Sequence, residues 1–492
     1  MTDLSIFLGK GELSQSLLLK QANRHGLIAG ATGTGKTVSL RILAEGFSRQ
    51  GIPVFMADAK GDLSGMAKAC GANPKFEERA KIVNYENYVT EPFPLVFWDL
   101  YAEQGHPIRA TIQNMGPLLL ARMLDLNEVQ EGILNVAFTV AEDESLPILD
   151  FKDLTALLSN IAGRSKELRA KYGNVSVQSV GAIQRQLLKL DRQGADQFFG
   201  EPELELKDMM RTTINGRGYI NVLAADKLMR NSPALYAIFL MWLLSRLFEE
   251  LPEQGDSDKP KIVFFFDEAH LLFDRAPRVL VDRIEQVVRL IRSKGVGVYF
   301  VTQNPADIPD DVLGQLGNKI QHALRAFTAK DQKSIRAAAQ SFRVNPKLDI
   351  EQAIQSLGIG EALVSVLDGK GVPTMVDQTL IIPPSSQLGP ITKLERQAVM
   401  DDSPVLGKYD EALDRDSAHE RLIKKSQDAA KKASEAADKE KLLKENKSVD
   451  EPKSKGRQRQ TIWESVTKSV VRSIGSSVGR KIAKKLLKSF FK

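Results

Sequence analysis

The sequence predicts an α/β fold: a mainly parallel sheet carrying a glycine-rich loop, an all-α insertion, and a charged helical tail. Three stretches predict it. GATGTGKT at 30–37 follows an apolar run at 27–29 and opens a helical pattern. IVFFFDEAH at 262–270 is an apolar run that ends in two acids. Between about 108 and 215, helical periodicity dominates and β-branched clusters nearly vanish.

In chain order, residues 27–29 read as a short buried strand, 36–50 as a helix, and 52–57 as a second apolar strand ending at Asp58. A helix joining two apolar strands through short turns argues a βαβ unit and a parallel sheet. Residues 81–84 and 95–100 read as further strands. Helices are expected over 115–126, 128–142, 154–168 and 177–192. Alternation then resumes, with strand 218–223, helix 233–249 and strand 261–266. A helix at 278–294 leads to strands at 296–302 and 319–326. Helices at 331–342 and 349–355 and a β pair at 362–367 and 374–382 close the body, with Pro383-Pro384-Ser385-Ser386 as its exit. These shifts in texture divide the chain into a core at 1–107, an all-α insertion at 108–215 and more core at 216–384. A charged linker, helical or disordered, is expected at 385–456, and basic amphipathic helices at 457–492.

Composition narrows the class. The 42% hydrophobic and 26% charged fractions suit a globular chain of several domains. A single cysteine, Cys70, excludes an intrachain disulfide and suits a reducing compartment. The start lacks a basic-then-apolar leader pattern, and the longest helical apolar run, 236–244, is nine residues. A membrane span needs about 20, so a cytoplasmic protein is expected. Charge is uneven. Residues 453–492 hold twelve Lys/Arg against one acid, a net of +11 within an overall +6, which leaves residues 1–452 at −5. A uniformly basic, nucleic-acid-coating surface is therefore not expected.

The glycine-rich stretch fits G-x-x-x-x-G-K-[ST]. Gly30, Gly33 and Gly35 let the backbone N–H groups of Ala31, Thr32, Thr34 and their neighbours through Val38 turn toward the phosphates of ATP. Lys36 supplies a point charge to the β- and γ-phosphates, and the Thr37 hydroxyl suits Mg²⁺. Asp267, leaving the apolar run 262–266, suits the same ion through water. Glu268 is placed to polarise water attacking the γ-phosphate; the bland alternative is an acidic cap on the next segment. Strand 298–302 ends in Gln303, an amide able to read the γ-phosphate, or else simply the start of a turn.

RHGLIAGATGTGKT, the strand ending at Asp58, FFFDEAHLLF, RLIRSKGVG and VTQNP together resemble the HerA/FtsK group of P-loop motor ATPases, and most of all the bacterial HerA-like ATPases. The resemblance covers about residues 5–385 and implies a RecA-like P-loop NTPase core that hydrolyses ATP with Mg²⁺. It further implies a homo-oligomer, a hexamer among the candidates, working on double-stranded DNA. By matched motif, Arg24 would touch phosphate in cis, and Asp58 would order metal or water. Arg292 would reach a neighbour's nucleotide, with Arg289 and Arg325 as competitors and a plain surface role as the alternative for each. HerA proteins carry a β-barrel before the loop, whereas about 25 residues precede it here, which puts ring assembly in question. An ATP-gated scaffold or membrane-peripheral ATPase that moves no DNA is one rival reading, and a protein- or DNA-export coupling ATPase of the secretion type is a second.

In the tail, Ile462, Val466, Val470 and Ile474 share one helical face, with Lys468 and Arg472 opposite. Beyond Gly479 the apolar face points the other way, so a break at 475–479 is expected. Basic amphipathic helices suit another subunit, an anionic membrane surface or DNA.

Overall fold

The computed structural model describes residues 4–86, 88–255, 257–273 and 278–447. Residues 457–492 lie outside the described residues, and with them the expected tail helices. Twelve strands form one sheet: β1 (Ser5–Lys10), β2 (Ser14–Leu18), β3 (Gly26–Ala29), β4 (Val54–Asp58), β5 (Leu95–Asp99), β6 (His106–Pro107), β7 (Ile220–Ala224), β8 (Ile262–Phe266), β9 (Val296–Thr302), β10 (Asn318–Gln321), β11 (Glu361–Ser365) and β12 (Asp377–Ile381). Their spatial order is β2-β1-β12-β11-β10-β3-β9-β8-β4-β7-β5-β6. From β10 through β6 every neighbouring pair is parallel, and the four strands on the other flank pair antiparallel. This is a mostly parallel sheet with the strand that leads into the glycine-rich loop, β3, among its central strands.

The central strands are apolar throughout because both faces are covered. Along β8, Phe264 and Phe266 face one layer while Val263 and Phe265 face the other. The first layer holds helices Ile112–Met123, Glu128–Asp143, Phe151–Gly163, Val177–Asp191 and Pro233–Glu250. The second holds the helix Lys36–Arg49, through Leu40, Leu43 and Phe47, together with Ile6 and Leu8 of β1. The helical stretch thus shares one continuous core with the sheet. Asn127 and Asp150 start two of its helices with reciprocal capping boxes, each satisfying N–H groups that a helix start leaves open.

Three expectations need correcting. Residues 81–84 are not a strand but the last residues of helix Pro74–Ile82 and the turn that follows it. Asn73 caps it, accepting from the Lys75 N–H at 3.2 Å, and Pro74 fits the first turn. The hairpin β1–β2 was not expected. Its strands are half apolar, and β1 gains its second partner only when distant β12 arrives, pairing Gly9 with Ile381 and Lys10 with Leu380. Third, the compact unit runs to Ile423, well past the proline pair. Ser385 and Ser386 donate backbone N–H bonds to buried Glu45 at 2.9 and 3.1 Å. The Tyr409 hydroxyl donates to Asp208 at 2.6 Å, and Val405 and Tyr409 join the helical layer's core. A few anchors in a polar stretch dock it, and composition averages them away.

From Lys424 a second unit begins; its described part continues helix Ala418–Lys447, with residues 424–439 exposed. Among the described residues no helix is long and apolar enough to cross a membrane.

Candidate nucleotide site

Because β10, β3, β9, β8 and β4 run parallel, their C-terminal ends share one edge of the sheet, where open α/β folds bind ligands. Five segments therefore meet there: the glycine loop after β3, Asp267-Glu268 after β8, Gln303 after β9, the 58–63 loop after β4, and His322 after β10.

The loop spans Gly30–Gly35 and delivers Lys36 and Thr37 into the first turn of helix Lys36–Arg49. Gly33 and Gly35 have φ of 79° and 119°, a region that suits glycine. A Cβ at Gly30 would stand 2.5 Å from that of His322, and one at Gly35 would stand 3.3 Å from its Cε1. At Gly33 nothing lies within 4 Å, so this part of the loop faces open space. The Lys36 ammonium donates to the Gly30 carbonyl and, at 3.1 Å, to that of Ala31; the Thr34 hydroxyl donates to Ala31 at 2.7 Å. Burial lowers the Lys36 pKa, and the charges of Glu268 and Asp267 push it back up. Ala31, Thr32, Thr37 and Val38 are partly or wholly exposed around this cradle.

His322 is the residue that motif reading missed. Its imidazole is buried beneath the loop, with Nε2 2.9 Å from the Ser39 hydroxyl and Nδ1 2.9 Å from the Glu361 carbonyl oxygen. Burial pushes its pKa down to about 4, and the Lys36 charge adds to the effect. The ring is therefore neutral, donating from Nδ1–H and accepting at Nε2. Backbone bonds reinforce the seat: Ala31 N–H donates to Ala323 and His322 N–H to Ala29, at 2.8 and 2.7 Å.

Asp267 follows the buried strand β8, and its carboxylate accepts from the Glu268 N–H at 2.9 Å. Glu268 sits at φ 49°, an uncommon conformation for a side-chain-bearing residue and one that clusters at functional sites. Burial, then repulsion from Glu268, pushes the Asp267 carboxyl up to about 7. A carboxyl so penalised gains strongly from a nearby divalent cation. Thr37 and Asp267 can supply the two protein oxygens that Mg²⁺ asks for when it keeps phosphate and water as its other ligands. Among the described residues no group of three or more His, Cys, Asp or Glu is placed to cage a metal by itself.

The Glu268 carboxylate is met by three groups. The Gln303 amide donates to it at 3.3 and 3.4 Å, His270 Nδ1 lies at 3.4 Å and the Lys60 ammonium at 3.7 Å. A cleft of about 590 Å³ opens beside them, lined also by Asp226 and Arg230.

Two expected site residues are elsewhere in role or place. Asp58, expected to order metal or water, is engaged in folding the loop after β4: its buried carboxylate accepts the N–H groups of Lys60, Gly61 and Leu63, at 3.3, 2.7 and 3.0 Å. Burial and the nearby Asp62 charge raise its pKa to about 6, against the lowering effect of the three N–H bonds. Arg24 cannot touch phosphate in cis. It precedes β3, whereas the glycine loop follows it, and four strand residues separate the two by about 13 Å. Its guanidinium lies beside Gly371 at the far edge of the sheet. Arg292 also sits at that far edge, where its carbonyl accepts from the Asn23 amide at 3.4 Å. Arg289 is exposed on the preceding helix, and Arg325 donates to the Gln355 carbonyl at 2.8 Å.

A parallel sheet whose central strand runs into this cradle, with an acid pair on the next strand but one, defines a P-loop ATPase. More particularly, the chain belongs to the helicase HerA-like C-terminal family, whose model matches residues 6–492. It is 21% identical over 346 residues to the DNA double-strand break repair helicase HerA of Saccharolobus solfataricus, covering 69% of this chain and 61% of the relative. The HerA of Sulfurisphaera tokodaii is 22% identical over 355 residues, covering 69% and 62%. The chain spans about three fifths of the length of these two curated relatives. Among solved structures it is similar to VirB4 of Thermoanaerobacter pseudethanolicus, with TM-score 0.48, 15% identity, and 79% and 97% of the two chains covered. Plasmid coupling protein TrwB in complex with ADP and Mg²⁺ gives TM-score 0.48 and 15% identity over 76% and 89%.

Proposed function

We propose that this chain hydrolyses ATP with Mg²⁺ and couples turnover to movement along double-stranded DNA as a homo-oligomer. The observation that carries the hydrolytic part is the placement of Glu268. It stands at the end of a buried strand, bridged by Gln303, on the sheet edge that holds the glycine loop. In this reading the loop N–H groups and Lys36 bind the β- and γ-phosphates. Thr37 and Asp267 hold Mg²⁺, which withdraws charge from those phosphates. Glu268 accepts a proton from the attacking water as its oxygen bonds to the γ-phosphorus and the bond to the leaving ADP breaks. Gln303 orients the carboxylate and the water.

The DNA and assembly parts draw on family membership and on relatives named as DNA repair helicases. Arg292, on the edge remote from its own loop, suits a neighbour's nucleotide in a ring. The basic C-terminal segment suits contact with DNA, an anionic membrane surface or another subunit. The test is the ATPase rate with and without duplexes of increasing length, beside the molecular mass with nucleotide bound. Length-dependent stimulation of an oligomer supports the motor. Turnover indifferent to DNA, or stimulated only by anionic lipid, overturns it in favour of a scaffold or membrane-peripheral ATPase.

A further inference from the structure

The 58–63 loop is built with more care than a surface turn requires. Three of its N–H groups converge on one buried carboxylate, and Gly61 takes φ 76° to allow it. The carbonyl of Asp62 accepts from Arg41, itself buried on the helix that Lys36 opens, at 3.4 Å. The loop is thus tied to the phosphate-binding helix, and it lines the cleft with Ala59 and with one charged side chain, Lys60. Lys60 stands 3.7 Å from Glu268, its own side chain about half exposed. Its charge is felt at both Lys36 and Asp267, so the ammonium lies within electrostatic reach of the whole constellation.

A carboxylate that activates water must approach a phosphate of its own sign. Two such charges repel strongly where the surroundings are partly buried and screen less than water. A cation beside both anions offsets this, and Lys60 is held where it can do so. We propose that Lys60 is a second phosphate-facing cation: it bridges Glu268 and the terminal phosphate, and thereby selects ATP over ADP and supports hydrolysis. This rests on the ATP-hydrolysing reading of the site given above. Lys36 meets the β-phosphate that both nucleotides carry as well as the γ-phosphate, whereas Lys60 stands on the Glu268 side, where in this reading the terminal phosphate of ATP lies.

The test uses the full chain with Lys60→Met, which keeps the stem and removes the charge, and Lys60→Arg, which restores it. Affinities for ADP and for a non-hydrolysable ATP analogue are measured by calorimetry, and turnover is measured alongside. One charged hydrogen bond corresponds to a change of about 10- to 100-fold. Lys60→Met is therefore expected to weaken the ATP analogue and lower kcat by that factor, with ADP affinity held within about twofold. Lys60→Arg should recover most of both. Equal weakening of the two nucleotides, no change in either, or faster turnover overturns the proposal. Glu268→Gln, measured beside them, separates the levels. If it turns over like the parent, the reading of the site itself fails. If it is inactive while Lys60→Met is fully active, only the role of Lys60 fails.

Discussion

Replacing His322 with Gln tests whether the phosphate loop rests on a neutral imidazole. At pH 7.5 the change removes bonds to the Ser39 hydroxyl and the Glu361 carbonyl, both in buried surroundings. At about 1 kcal/mol net for each bond, the loss is about 2 kcal/mol. The pH dependence is the sharper signature. Burial holds the folded pKa near 4 against 6.5 for the free side chain. Below pH 6.5 the unfolded chain takes up a proton that the folded one refuses until about pH 4. Stability is therefore lost as pH falls through that window, by about 1.3 kcal/mol between pH 7.5 and 5.5. The Gln variant escapes this loss, so its deficit should shrink from about 2 to about 1 kcal/mol at pH 5.5. His25, buried and also held at about 4, shares the slope, while Asp267 and Asp58, raised to about 7 and 6, oppose it. Only the difference between variant and parent isolates His322. Paired urea titrations at the two pH values, followed by the fluorescence of buried Trp98 and Trp242, supply it. A deficit equal at both pH values would refute the neutral, buried ring, and no deficit would refute the seat altogether.

Glu268→Gln should keep ATP binding while turnover falls about 10²-fold or more, the scale of a lost general base; steady-state rates within threefold of the parent would move the base elsewhere. Arg292→Ala and Glu268→Gln proteins, each inactive alone, should regain activity when mixed, because some interfaces then hold one intact site. A mixture shown by mass to co-assemble yet still inactive would leave Arg292 a structural residue. Deleting residues 457–492 should spare basal ATPase while reducing oligomer size or attachment to anionic surfaces. Strong salt dependence of the lost binding would point to phosphate contacts, and weak dependence to packing between subunits. Unchanged assembly, DNA affinity and liposome binding would remove the tail from both roles.

What the sequence by itself determined is the machinery encoded contiguously. GATGTGKT carries its own glycines, lysine and hydroxyl, and the strand before it and the helix after it are set by local pattern. The same holds for IVFFFDEAH, where an unbroken apolar run already implies a strand covered on both faces, with its acids at the exit. These features were legible because their physics acts over fewer than ten residues. The tertiary structure decided what depends on distant partners. His322 is an unremarked residue in KIQHALRA until β10 lies beside β3 and places its ring beneath the loop. Asp58 drew its expected role from the matched motif at the tip of its strand; only the fold shows its oxygens accepting the N–H groups of the turn that carries Lys60. The β1–β2 hairpin and the docked stretch after Ser385 were equally invisible. Their stability comes from β12, Glu45 and Asp208, residues that only chain folding brings within hydrogen-bonding range.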